Sequence, residues 1–227
     1  MEQLINSFNI DQKKQEKFKI YYEFLISENQ KYNLTSITDV NEVYIKHFYD
    51  SCVLLNYFDL SDSTLCDVGS GAGFPGIPLK IINDSIKLTI VEPTAKRINF
   101  LKELCNKLEI KDVEFICDRA ENVTKERREE FDFVTARAVS ALPTLLELTI
   151  PLVRVGGSFI SYKGSNYLEE VEASKNALNV LSSKVNNCFE YELPNEMGKR
   201  CLIEVKKVKK TNLVYPREYA KIKKKPL

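Results

Sequence analysis

No stretch of the 227 residues approaches the ~18 consecutive apolar residues of a membrane helix, and the opening Met1-Glu2-Gln3 begins no signal peptide. No C-x-x-C pair occurs among Cys52, Cys66, Cys105, Cys117, Cys188 and Cys201, which sit mostly in apolar segments. That distribution favours reduced core cysteines in a cytoplasmic protein over a zinc site or disulfides. There is one histidine, His47, beside the apolar stripe of a helix, where packing is a commoner role than acid–base work. The formal net charge of +1 by itself says nothing for nucleic acid, and no repeat or low-complexity block is visible. What is present is a 44% hydrophobic chain, enough for a substantial core in one domain with an extension.

Only eight glycines occur, and four of them fall at 69, 71, 73 and 76. They follow Leu65-Cys66-Asp67-Val68, a short buried strand by composition, and precede the apolar Ile77, Leu79, Ile81 and Ile82 of a helix. Strand, glycine turn and helix is how a parallel sheet opens a nucleotide site at its carboxyl end. Gly71, Gly73 and Gly76 fit the dinucleotide spacing G-x-G-x-x-G. Gly69, Gly71 and Gly73, preceded by Asp67, fit G-x-G-x-G, which resembles motif I of Rossmann-like methyltransferases. A dinucleotide needs its pyrophosphate at a helix N-terminus. S-adenosylmethionine has none, and the turn must instead admit an amino acid and a sulfonium, with Asp67 offering a carboxylate near the cation.

The remaining pattern chooses between them. Phe18, Tyr21, Tyr22, Leu25 and Ile26 predict an N-terminal helix, and a second starts near Thr38 or Asp39 with Val40, Val43, Tyr44, Phe48, Cys52 and Leu55 as its stripe. From Thr64 strands alternate with helices: strands at 88–91, 113–117, 131–136 and 158–162, a helix over 142–153, and a Gly156-Gly157 turn before the fifth strand. Strands near 185–193 and 201–208 are joined through Pro194–Gly198 as a hairpin, which puts one antiparallel strand in the sheet. The reading is an α/β, Rossmann-like class I methyltransferase with a mostly parallel seven-stranded sheet. Helical residues 1–60 precede a domain over 61–210, and a basic tail spans 211–227. Glu92, at the end of the second strand, suits two ribose hydroxyls. Asp118 and Glu121 end the third strand, where an adenine would lie, and spacing does not choose between them. Arg137 ends the fourth, as either an organiser of the reacting junction or an ion partner of Asp118 or Glu121.

Asn33-Leu34-Thr35, His47 with Asp50-Ser51, the run Asp67–Gly76, Arg119-Ala120-Glu121, Ala136-Arg137-Ala138, Tyr162-Lys163-Gly164 and Tyr215-Pro216-Arg217 occur in that order. Together they resemble the bacterial small-subunit ribosomal RNA guanine-N7 methyltransferases, the RsmG or glucose-inhibited division B family, over nearly the whole chain. The resemblance implies S-adenosyl-L-methionine as cofactor, with contacts at Gly69, Phe74, Ala120, Glu121 and Arg137, to which the residue reading adds Gly71 and Glu92. It implies 16S ribosomal RNA or the small subunit as partner; the reading is otherwise of a monomer with no metal and no membrane.

Guanine N7 carries a free lone pair, so methylation there requires no general base, and the sequence offers no obvious one. The Pro-Pro-aromatic motif of many amine methylases is absent. Residues 199–227 hold eleven Lys/Arg and two acids, a net of +9 that leaves −8 for the rest. This asymmetry suggests a nucleic-acid footprint, with Lys206, Lys207, Lys209, Lys210 and Arg217 as phosphate contacts. The rivals are a nicotinamide oxidoreductase and a non-catalytic RNA-binding module.

Overall fold

The N-terminal layer forms where the apolar periodicity is helical. In the computed structural model, which describes residues 1–227, α1 (Glu2–Phe8) and α2 (Gln12–Tyr32) come first. Asp11 caps α2 by accepting the Lys14 N–H at 2.8 Å, and Asn33 ends it in the left-handed region with φ 49°. Phe18, Tyr21 and Leu25 lie one turn apart and are fully buried, each contributing roughly 1.5–3 kcal/mol by leaving water.

Asp39, not Thr38, caps the next segment, accepting the Glu42 N–H at 3.0 Å. This segment is not one regular helix. α3 (Val40–Glu42) passes into a π-helix (Val43–Tyr49), then α4 (Asp50–Cys52) and a 3₁₀ turn (Val53–Asn56). Val40 on α3 is exposed, while Val43, Tyr44 and Phe48 of the π-helix and Cys52 of α4 are inside.

Seven strands follow: β1 (Thr64–Val68), β2 (Lys87–Val91), β3 (Val113–Ile116), β4 (Phe131–Arg137), β5 (Val153–Lys163), β6 (Ser183–Glu192) and β7 (Lys199–Lys207). They form one sheet in the order β3-β2-β1-β4-β5-β7-β6. β1 to β5 are parallel, and β7 runs antiparallel to both β5 and β6, so the hairpin supplies the one reversed strand. The strand order turns about between β1 and β4, which opens a crevice at their carboxyl ends. Alternation along the strands sorts the core. Leu65, Leu88 and Ile90 face α2, α5 (Gly76–Ile82) and α6 (Ala95–Lys107). Cys66, Val68 and Val91 face the opposite layer, built from α7 (Ala120–Glu126), α8 (Leu142–Thr149), α9 (Tyr167–Ala173), α10 (Lys175–Val180) and α11 (Tyr219–Lys224).

Two boundaries differ from the sequence reading. The helix expected over 142–153 stops at Thr149, and β5 begins at Val153, so Gly156 and Gly157 lie inside the strand. They fill a bulge where the pairing jumps from Phe131–Val153 to Phe133–Ser158. A Cβ on Gly157 would come within 2.7 Å of the Asp132 carbonyl, which is why glycine stands there rather than in a turn. α7 and α11 went unread: α7 is a seven-residue helix without a side-chain cap, and α11 is masked by its run of lysines.

Candidate active site

The glycine turn joins β1 to α5 at the crevice. Gly69, Gly71 and Gly73 all have positive φ, of 71°, 59° and 107°. A Cβ at Gly73 would lie 2.5 Å from the Tyr21 hydroxyl, and that hydroxyl donates to the Ala72 carbonyl at 2.6 Å. A buried tyrosine of the N-terminal layer thus sets the turn from beneath. Gly71 is different: a Cβ there would meet no atom within 4 Å, so its backbone is bare towards the crevice.

Asp67 does not face that crevice. It is fully buried, accepting the Gly76 N–H at 3.0 Å on one oxygen and the Thr135 hydroxyl at 2.9 Å on the other. Burial raises its pKa despite these bonds. Its work is to fix the turn against α5 and β4, not to meet a cationic ligand as the sequence suggested.

Glu92 ends β2 almost fully buried. One carboxylate oxygen accepts the Gly71 N–H at 3.2 Å and the other the Thr94 N–H at 3.0 Å, with Arg97 3.5 Å away. Beyond it lies a largely apolar pocket of about 260 Å³, lined by Gly69, Val91, Pro93, Ala120, Glu121 and Val139 among others. The two acids that spacing left open differ in their surroundings. Glu121 lines the pocket and is buried, whereas Asp118 is exposed and accepts from the Asn122 amide and the Arg119 N–H. The Asn122 bond comes first among the causes holding the Asp118 pKa low.

Arg137 ends β4 and opens a second pocket, of about 440 Å³, lined also by Lys46, His47, Asp50, Tyr162, Lys163 and Arg200. Its ion partner is Asp50 at 3.1 Å, and neither Asp118 nor Glu121. The guanidinium also donates to the Lys46 carbonyl at 3.1 Å, approaches Nδ1 of His47 at 3.3 Å, and lies 4.8 Å from the Phe74 ring centre. The π-helix makes this fit by turning its last carbonyls towards β4. Because arginine only donates, Nδ1 accepts, and Nε2 carries the proton that it donates to the Thr35 hydroxyl at 2.8 Å. Burial first, then the Arg137 charge, depress the His47 pKa to about 3. The ring is neutral and is no acid at physiological pH.

Phe74 is stacked between His47 at 4.5 Å and Tyr21 at 5.4 Å, so its side chain belongs to the N-terminal layer and only its backbone borders the turn. Tyr162 donates to the Ser51 carbonyl at 2.8 Å, and Tyr191 to Asp50 at 2.7 Å. The residues singled out in sequence therefore divide between two pockets. Gly69, Ala120 and Glu121 line the first, Arg137 and His47 line the second, and Gly71 and Glu92, bonded to each other, line neither. The loop after β4 parts them, Val139 lining one and Ala138 the other. Lys163 holds that loop through the Ser140 carbonyl at 2.9 Å and Glu170 at 2.6 Å, and Glu170 also accepts the Leu142 N–H. Glu170 carried no sequence signal beyond its place on a helix.

The family model described as GidB, rRNA small subunit methyltransferase G, matches residues 14–197. The chain belongs to this family. A Lactobacillus acidophilus protein named ribosomal RNA small subunit methyltransferase G is 46% identical, covering 98% of this chain and 95% of its own. A Bacillus cereus protein of the same name is 49% identical over 89% of this chain and 86% of its own. Among solved structures, a SAM-dependent methyltransferase from Aquifex aeolicus superposes with a TM-score of 0.57 at 18% identity, covering 79% of this chain and 97% of that one. M. jannaschii TYW2, solved with AdoMet, gives 0.58 at 14% identity over 71% and 76%. These two speak for the fold, a Rossmann-like methyltransferase sheet.

In this chain two of the cations expected to contact phosphate, Lys207 and Arg217, are engaged within the protein. Cys201 of β7 pairs with Lys163 at the crevice end of β5, and Lys206 pairs with Ser158 in mid-strand, so β7 runs away from the crevice. Lys206 to Lys210 therefore lie at the far edge of the sheet. Lys207 is buried, donates to the Ile150 carbonyl and sits 3.0 Å from Glu129. Arg217 grips Glu147 with both carboxylate oxygens, at 2.8 and 2.7 Å. Cations at the crevice end include Lys46, Arg97, Arg119, Arg137, Lys163, Lys199 and Arg200. No helix is long and apolar enough to cross a membrane.

Proposed function

We propose that the chain transfers a methyl group from S-adenosyl-L-methionine to N7 of a guanine in 16S ribosomal RNA, acting as a monomer on RNA presented by the small subunit or its precursor. When bound, the cofactor supplies an electrophilic methyl on a sulfonium. The residues present suit it: a bare glycine backbone at Gly71, an acid at Glu92 for the ribose hydroxyls, and an apolar slot edged by Ala120 and Glu121 for the base. The second pocket, lined by Lys46, Lys163 and Arg200, with Lys199 beside Arg200 on β7, suits the nucleotide and its phosphates.

The observation that carries the reading is the pairing of these two pockets across one loop, with Arg137 lining the second just before that loop begins. N7 needs no proton removed, and the candidate bases of the second pocket are all engaged: His47 donates from Nε2 and is blocked at Nδ1, Asp50 is held by Arg137 and Tyr191, and Glu170 by Lys163 and the Leu142 N–H. The work left to the protein is placement of N7 in line with the methyl, an effect worth up to roughly 7–11 kcal/mol. Arg137, held rigid by four contacts, orients the acceptor side, and its fixed charge discourages premature protonation of the purine. The test is transfer of labelled methyl to small subunits and to naked 16S RNA, with the product mapped as 7-methylguanine. Label on an exocyclic amine or on ribose would refute the assignment. Calorimetric binding of NAD, with none of S-adenosylmethionine, would favour the oxidoreductase instead.

A further inference from the structure

The first pocket is lined almost wholly by residues that follow β1 to β4, as the fold dictates. The exceptions are Leu148, late in α8, and Tyr219, which starts α11 and lies about seventy residues beyond Leu148 along the chain. Its position is enforced on both sides. Two residues before it, Arg217 donates from its backbone N–H and both arms of its guanidinium to Glu147, which is fully buried on α8. That bond raises the Arg217 pKa further. Three residues after it, Ile222 is fully buried in the core layer under α8. Upstream, Arg128 donates to the carbonyls of Thr211, Asn212 and Tyr215 at 2.8, 2.9 and 2.7 Å. Glu147 adjoins Leu148, itself a lining residue, so the clamp and the pocket share one helix. A carboxylate buried this deeply needs its partner, and loss of Arg217 would leave it uncompensated.

Tyr219 is half-buried, with the Arg119 guanidinium 5.7 Å from its ring centre, and it stands across the pocket from the apolar ends of β1 and β2. A flat, electron-rich ring beside an apolar slot is the surface against which a purine packs. We propose that the C-terminal segment from Tyr215 to Lys224 is the outer wall of the cofactor pocket, with Tyr219 packing on the adenine. Docking of this segment and binding of S-adenosylmethionine then become one coupled equilibrium. The segment's net positive charge had suggested an arm for RNA; its anchored half serves the cofactor. The inference rests on the cofactor reading above.

The experiment is calorimetric titration of the full chain with S-adenosylmethionine and with S-adenosylhomocysteine, in wild type, Tyr219→Phe and Tyr219→Ala. Trypsin cleavage after the exposed Lys221, Lys223 and Lys224 is followed in parallel. Tyr219→Ala should raise both dissociation constants about tenfold, and Tyr219→Phe by no more than about twofold. Saturating cofactor should slow tail cleavage at least about threefold in wild type, and less in Tyr219→Ala. Unchanged affinity in a folded Tyr219→Ala variant overturns the wall, as does cleavage in wild type that ignores the cofactor. The second measurement decides by itself if the alanine variant does not fold. An RNA arm alone would lower RNA affinity while leaving cofactor affinity intact, which also overturns the proposal. Failure of wild type to bind S-adenosylmethionine at all is a different result, and removes the cofactor reading with it.

Discussion

Lowering the pH should cost the wild-type protein stability through one residue. His47 is neutral in the fold because it is partly buried and its Nδ1 accepts from Arg137. A second proton on Nδ1 would replace that bond by the approach of two cations. With a folded pKa of about 3 against about 6.5 when unfolded, the unfolded chain binds more protons throughout that interval. Stability is therefore complete above the unfolded value and falls as pH drops. Between pH 7 and pH 5 the loss is about 2 kcal/mol, most of it before carboxylates titrate. The assay is urea unfolding of wild type and His47→Asn at both pH values. The variant starts less stable at pH 7, and its deficit should shrink by about 2 kcal/mol at pH 5, since it has no imidazole to protonate. A deficit that stays constant would mean that the ring titrates normally, and the tautomer and the Arg137 contact deduced above would be wrong.

Gly71→Ala should fold with about 1 kcal/mol of backbone strain and bind S-adenosylmethionine at least about tenfold more weakly; undiminished calorimetric affinity would remove Gly71 from the site. Arg137→Lys keeps the charge but loses the fork that reaches Lys46, Asp50 and His47 together, so methyl transfer should drop about tenfold or more while RNA affinity falls less. Wild-type turnover in that variant would make Arg137 purely structural. Replacing Lys199 and Arg200 by Gln should lower the slope of log RNA affinity against log salt by roughly 0.7–0.9 per lost contact, whereas the same change at Lys209 and Lys210 should leave it flat. The opposite outcome in filter binding over a salt series would move the RNA face to the far end of the sheet.

The sheet was readable because each element is stated locally: β1 by its apolar run, the turn by its glycines, the reversed β7 by a hairpin-length connection. The place of Glu92 at the end of β2 was legible in the same way, from its spacing after Gly69. Long-range partners were not. Nothing near Arg137 in sequence announces Asp50, 87 residues earlier, because a buried ion pair depends on where a π-helix ends against a strand. Asp67 misled for the same reason: an acid before a glycine turn has two places to point, and the backbone N–H of Gly76 wins. Charge counting failed at Lys207 and Arg217 because it registers sign and not burial. Tyr219 lay hidden in a lysine-rich tail whose composition resembles a solvated one.

The tyrosine beneath the glycine turn bears on how this chain can be cut. Ala72 takes its side-chain hydrogen bond from Tyr21, Phe74 is stacked by Tyr21 and His47, and Arg137 is held by Lys46 and Asp50. Every one of those donors and partners precedes residue 61. A fragment starting at β1 keeps all seven strands and every glycine, yet strips the turn and the arginine of what orients them. The helical layer is therefore no detachable module laid over a self-sufficient catalytic unit; grafting the 61–210 region onto another leader would transplant the ligands of the site without its geometry.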